Sequence, residues 1–187
     1  MVATIRRGPE STARPATRNM TNELTRQFFP IEAVRSREAG TPLGELYEFW
    51  HGLQRVKEGA LPRDFEFLPA TKVGRAMDFM IAMDVSADDP AAYRTLSVGE
   101  RAGIYPSCVP GAAIGAPKAA DEGDLLIDLL WCKANREPFY CEAEYLIGDR
   151  VRHIVTLLLP VTDEAGNIER IYAAFRLVGA PARTRVE

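Results

Sequence analysis

His51 and Asp64, the first histidine and the first aspartate along the chain, are of types that could exchange a proton, and Trp50, next to His51, could serve as a flat binding platform. A general acid–base pair must stand within hydrogen-bond reach. These two are separated by Gly59, which ends a helix, and Pro62, which prevents its resumption, so nothing in the spacing brings them together. The other combination is His153 with Glu142 or Glu144. His153 is in phase with Val151, Val155, Leu157 and Leu159 on the apolar face of a strand, a position that predicts a satisfied, partly buried histidine.

Metal and covalent chemistry find less support. Cys108, Cys132 and Cys141 form no CxxC, and with two histidines in the chain no zinc or iron spacing arises. Three such cysteines read as the free thiols of a cytoplasmic protein. Ser107 and Cys108 have no identifiable histidine base for a nucleophile. Gly99, Gly103, Gly111 and Gly115 fit neither the dinucleotide-binding GxGxxG pattern nor a phosphate-binding loop.

Charge narrows the partners. The 23 basic and 26 acidic residues leave a formal net charge of −3, so no overall basic field attracts nucleic acid or an anionic membrane. No stretch approaches the roughly 20 apolar residues that a membrane-spanning helix needs. Small molecules or proteins are the expected partners. An apolar share of 47% suits a globular core. The first 40 residues differ, because their Arg, Thr, Ser and Pro cannot bury enough surface to offset ordering.

The elements that must position these groups follow from periodicity. Thr41 and Pro42 make an N-cap with proline at the first helical position. Over residues 43–58, Leu43, Leu46, Tyr47, Phe49, Trp50, Leu53 and Val56 fall in one half of the helical wheel, with Glu45, Glu48, His51, Arg55 and Glu58 in the other. Met77, Phe79, Ile81, Met83 and Val85 alternate with Asp78, Met80, Ala82 and Asp84, which predicts a strand with one wetter face. "AYRTLSVGE" pairs with it across the turn "SADDP". Residues 101–120, rich in glycine and proline, predict short turns or loose helical pieces. "LLIDLLWCKANR" is a helix closed by Pro138, and "FYCEAEYLI", "RVRHIVTLLLPV" and "IERIYAAFRLV" are three meandering strands. The expected architecture is α+β: an antiparallel sheet, helices on one face, and an N-terminal amphipathic helix. Its bounds are a largely disordered tail over 1–40, the helix at 41–60, one domain over 61–179 and a C-terminal tail over 180–187.

Two strands, a helical crossover and three strands is the order that resembles the PAS fold, a five-stranded antiparallel sheet holding a ligand pocket against its helices. The pieces "YEFW", "LPRDFEFLP", "AYR" and "TLLLPVTDEAGNIERIYAAF" are similar to those of a subfamily of small stand-alone bacterial PAS-like proteins with a Trp helix and a Pro-Arg segment. The likeness covers about residues 43–178 and departs from the family pattern at "YRTLSVGERAGIYPSCVPGAAIG". It implies a sensory or regulatory module rather than an enzyme. Haem-binding relatives place a histidine before the third strand, and this chain has none between His51 and His153; "WCKANR" lacks the residue order of flavin photosensors. The pattern therefore disfavours haem, metal and flavin, and no cofactor is assigned.

The residues expected to flank the pocket are Phe79, Met83, Tyr93, Trp131, Tyr145, His153 and Tyr172, a set suited to a small apolar or aromatic ligand. Leu46, Phe49, Trp50, Leu53 and Arg63 are the expected docking residues, serving the chain's own sheet, a protein partner or a homodimer. The alternatives are a small cavity enzyme using His153 with Glu142 or Glu144, and a ligand-free interaction scaffold.

Overall fold

The computed structural model describes residues 23–57, 59–67, 74–102, 108–114, 122–147 and 150–178. Six strands form one antiparallel sheet: β1 (Glu23–Phe28), β2 (Met80–Asp84), β3 (Arg94–Val98), β4 (Phe139–Ile147), β5 (Arg150–Thr162) and β6 (Ile168–Val178). Their spatial order is β1-β4-β5-β6-β2-β3. Among the described residues four α-helices accompany them: α1 (Val34–Arg37), α2 (Pro42–Val56), α3 (Asp64–Phe67) and α4 (Glu122–Asn135). Among the described residues no helix is long and apolar enough to cross a membrane.

The two-strand, crossover, three-strand order is present, with a sixth strand added. Residues 23–40, expected in a disordered tail, instead supply β1, a short 3-10 turn and α1. β1 pairs with β4, with Arg26 opposite Ala143 and Phe28 opposite Cys141. The tail of residues 1–22 and the C-terminal tail lie outside the described residues. So does the turn expected at Gly148-Asp149.

Helices on one face is the second expectation to be corrected. From Ile154 to Val161 every residue of β5 is buried, and a strand apolar on both faces needs a cover on both. One cover is α4, which packs Leu125, Leu129 and Cys132 with Met83, Tyr93, Tyr145, Ile154, Leu158 and Phe175. The other is the layer of α1, α2 and α3, whose Val34, Leu43, Leu46, Tyr47, Trp50 and Phe67 pack with Tyr140, Val155, Leu157, Leu159, Val161 and Tyr172. β2 was expected to begin near Met77 and to keep a wet face. It begins at Met80 after a 3-10 segment (Gly74–Phe79) and is buried on both sides, because Ile81 and Met83 enter the α4-side core and Met80 and Ala82 the other.

Local chemistry sets these bounds. The Thr41 side chain accepts from the Gly44 amide at 3.2 Å and caps α2. The turn between β5 and β6 closes through Asn167, whose amide donates to Asp163 at 2.8 Å, with Gly166 in the left-handed region at φ +87°. Those hydrogen bonds hold the Asp163 carboxyl below its ordinary range. Residues 108–114 are partly strand-like: Thr95 donates to the Ala112 carbonyl and Ile114 to that of Tyr93, covering the outer edge of β3.

Trp50 joins the two levels of this structure. It is 1% exposed, and its indole nitrogen donates to the Pro160 carbonyl of β5 at 2.9 Å. α2 thus packs on its own sheet. Trp50→Ala is expected to cost about 3–5 kcal/mol in urea unfolding, from the lost packing and an unpaired carbonyl. A loss below about 1 kcal/mol would show that α2 is not docked this way.

Candidate functional site

The α2 side of the sheet carries a chain of polar groups built around Glu38, which is 1% exposed. Gly40, at φ +73°, and the Thr41 cap bend the chain between α1 and α2, and Glu38 sits at the start of that bend. A side chain at Gly44 would run into the Glu38 carbonyl, so glycine is what permits this approach. Arg176 on β6 donates to Glu38 from Nε at 2.9 Å and from Nη2 at 2.7 Å. Tyr140 donates to the same carboxylate at 3.2 Å and Thr41 at 2.8 Å. This is a two-pronged guanidinium–carboxylate contact with its remaining valences filled.

The chain continues to Glu142, whose Oε1 receives Arg37 from α1 at 2.7 Å and whose Oε2 lies 3.2 Å from Nε2 of His153. His153 and Glu142, a pair considered for proton transfer, are therefore brought together. Oε1 of that carboxylate is already taken by Arg37. Glu144 faces His153 across the ladder, and its carboxylate receives Thr25 at 3.2 Å. Burial, reinforced by Glu38 and Glu142, pushes the Tyr140 phenol above its ordinary value. The hydrogen bond to Glu38 raises the Arg176 guanidinium.

A second anchor lies under α3. Asp64 accepts from the Tyr172 hydroxyl at 2.7 Å and pairs with Arg170. The Phe67 ring stands 4.7 Å from that of Tyr172. Burial, then the Asp64 hydrogen bond, raises the Tyr172 phenol. Arg63, expected to dock the helix, is exposed; its amide donates to Glu66, and the docking side chain is its neighbour Asp64. Asp64 is thus committed to Arg170 and Tyr172, while His51 faces Arg35, with Nδ1 3.0 Å from Nη2. Of the other docking residues, Leu46 and Trp50 are buried, and Phe49 and Leu53 are half-buried against the same core.

The sheet divides the seven residues expected around a ligand. Met83, Tyr93, Trp131 and Tyr145 belong to the α4 side, whereas Phe79 and Tyr172 pack in the α2-side core and His153 joins the polar chain there. On the α4 side Lys133 stands 5.1 Å over the Tyr93 ring and donates to the Val85 and Ala87 carbonyls at 2.6 and 2.7 Å. Trp131 leans on Phe139 with ring centroids 5.7 Å apart. Arg26 of β1 donates to Asp128 of α4 at 3.0 Å and to the Tyr145 hydroxyl at 2.9 Å. Cys132 is buried and its thiol donates to the Glu137 carbonyl; burial pushes that thiol far up, away from reactivity. Among the described residues no cluster of His, Cys, Asp and Glu could hold a metal ion.

Three open depressions of about 470, 490 and 500 Å³ surround the turn between β5 and β6, with Asp163 in the wall of each. None is lined by any of the seven expected ligand residues. Composition and periodicity had not pointed to Glu38, Arg176 or Asp128. The available signals were one arginine in phase with Tyr172 and Ala174 inside an apolar strand, and one acid inside the apolar run "LLIDLLW".

No family model matches the chain, and no curated protein matches it. Among solved structures it is similar to the PAS domain of BvgS from Bordetella pertussis, at 16% identity and a TM-score of 0.34, over 55% of this chain and 76% of that one.

Two outcomes test the polar anchors. Arg176→Met leaves the Glu38 carboxylate buried without its guanidinium and is expected to cost about 3–5 kcal/mol in urea unfolding, most of which a Glu38→Gln/Arg176→Met double variant recovers. A double variant no more stable than the single one would show that the carboxylate is not desolvated. Tyr140 and Tyr172 bind their protons more tightly folded than unfolded, so the stability they add is whole below about pH 10 and is lost as pH rises through their folded values. Phenol absorbance should show these two ionising last, with alkaline unfolding; ionisation of all tyrosines together near pH 10 in folded protein would contradict it.

Proposed function

We propose that the chain is a PAS-like sensory or regulatory module of the cytoplasm that performs no catalysis and binds a small apolar or aromatic ligand, or a protein partner, on the α4 side of its sheet. The observation that carries this reading is that the two faces of one sheet are covered by unlike layers. The α4 side is mainly apolar and aromatic, with Met83, Tyr93, Trp131 and Tyr145 among its lining and the Arg26–Asp128 pair at its β1 margin. The α2 side is fastened by hydrogen-bonded ion pairs at Glu38 and Asp64. The strand order β3-β2-β6-β5-β4, with α4 on the crossover between β3 and β4, is the arrangement expected of a PAS-like sheet, and β1 extends it by one strand.

A ligand held by the first layer favours one packing of the second, and the surface of α1 and α2 then differs between the two states. Phe79, His153 and Tyr172 belong to that responding layer rather than to the ligand wall. Output passes to a separate protein or to a second copy through the same surface.

Native mass spectrometry of the full chain isolated from its own source tests this. A retained small molecule that is lost from a correctly folded Trp131→Ala variant is the expected result. A bare chain whose melting temperature responds to no compound in a library of aromatic metabolites would leave only the scaffold reading. The 3.2 Å approach of His153 to Glu142 keeps one enzyme alternative concrete. If His153→Gln kept its melting temperature but abolished a measurable turnover, that alternative would replace the sensory reading.

A further inference from the structure

β1 is attached to the rest of the fold in an uneven way. Thr25, Gln27 and Phe28 are exposed, while the Arg26 side chain is only 11% exposed and reaches behind the sheet to α4. There Arg26 Nη1 lies 3.1 and 3.0 Å from the two oxygens of Asp128, whose side chain is 3% exposed, and Nη2 donates to the Tyr145 hydroxyl at 2.9 Å. The ladder to β4 runs from Glu23 opposite Tyr145 to Phe28 opposite Cys141, and the Phe28 ring meets Phe139 edge-on at 5.6 Å. None of these partners comes from α1 or α2, the elements that follow β1 in the chain. The link to the 3-10 turn before α1 is Phe29 and Pro30 alone, with Pro30 extended at φ −55° and ψ 142°.

The edge of β4, with a buried carboxylate and a phenol behind it, therefore has the form of a strand-acceptor site. It takes an extended segment by main-chain hydrogen bonds and selects an arginine at one position. We propose that this acceptor, filled here by the chain's own Glu23–Phe28, also accepts the same segment from a second copy of the chain, giving a strand-exchanged dimer. The second copy is the occupant that the geometry specifies, because it brings the sequence that already fits, arginine included. Every hydrogen bond and ion pair of β1 re-forms between chains without new complementarity, which is why exchange of a terminal element is a low-cost route to a dimer. This inference stands apart from the sensory reading and holds whether or not a ligand binds.

Thr25 and Glu144 are Cα partners across the β1–β4 ladder, which makes the test direct. Full-length Thr25→Cys and Glu144→Cys variants are unfolded together, refolded over a range of protein concentrations and oxidised, and disulfide-linked heterodimer is read on a non-reducing gel. The expected result is a heterodimer whose yield rises with concentration and is about tenfold or more above that of a control pair in which Leu96→Cys, exposed on β3 and outside the ladder, replaces Glu144→Cys. No heterodimer at any concentration, or one no more abundant than with the Leu96→Cys control, overturns the proposal. The double variant Thr25→Cys/Glu144→Cys in one chain, refolded dilute, must close its disulfide internally; failure there removes the ladder itself and the proposal with it.

Discussion

β5 has no face it can leave in water. Ile154 and Leu158 point to the α4 side, and Val155, Leu157, Leu159 and Val161 to the α2 side, all at 2% exposure or less. Burying each such side chain contributes about 1.5–3 kcal/mol, so stripping either cover would forfeit several residues' worth at once. Two layers must therefore converge on one strand from distant parts of the sequence. Residues 31–67 and the 3-10 segment at 74–79 supply one, and α4 with the 108–114 segment supplies the other. The N-terminal helices are consequently structural members of the domain, and Trp50, bonded to the Pro160 carbonyl, is where they grip it.

Apolar cover alone would let a helix slide on the sheet. What fixes position here is a set of polar anchors near the margins of the layers: Glu38 with Arg176, Asp64 with Arg170 and Tyr172, and Arg26 with Asp128 and Tyr145. Each joins residues more than 100 positions apart in the chain. Buried ion pairs add little net stability compared with apolar replacements, but separating one is strongly unfavourable. A misplaced α1, α3 or β1 would separate one of these pairs, so the anchors act on specificity of docking more than on its strength.

The same contrast explains what could be read beforehand. The α2 cap at Thr41, the apolar stripe through Leu46 and Trp50, and the turn at Asp163–Asn167 depend on neighbours within a few residues, and their types specify them. β1 was not legible, because "ELTRQF" has few large apolar groups and owes its strand state to a ladder with β4 more than 110 positions away. Nor was the second covered face: alternation in "IERIYAAFRLV" suggested one wet side, yet Tyr172, Ala174 and Arg176 on that side are packed or paired by α1, α2 and α3. Arg63 and Asp64 show the limit at single-residue scale. Either could dock a helix, and the choice depends on Arg170 and Tyr172 being across from them, which no local pattern states.

The partition made by the sheet also defines how its faces can be coupled. Successive residues on β6 point to opposite layers, Phe175 into the α4 core and Arg176 to Glu38 on the other side. A change in packing against Phe175 therefore acts on Arg176 through a single peptide unit. At hydrogen-bond lengths of 2.7 and 2.9 Å the guanidinium contact tolerates little rotation of the strand before one prong is lost. Close-packed cores pass such a shift on rather than absorb it. A shift in packing thus needs no path around the sheet to reach the other face; the alternation of one central strand, anchored on one side by apolar contact and on the other by an ion pair, is sufficient.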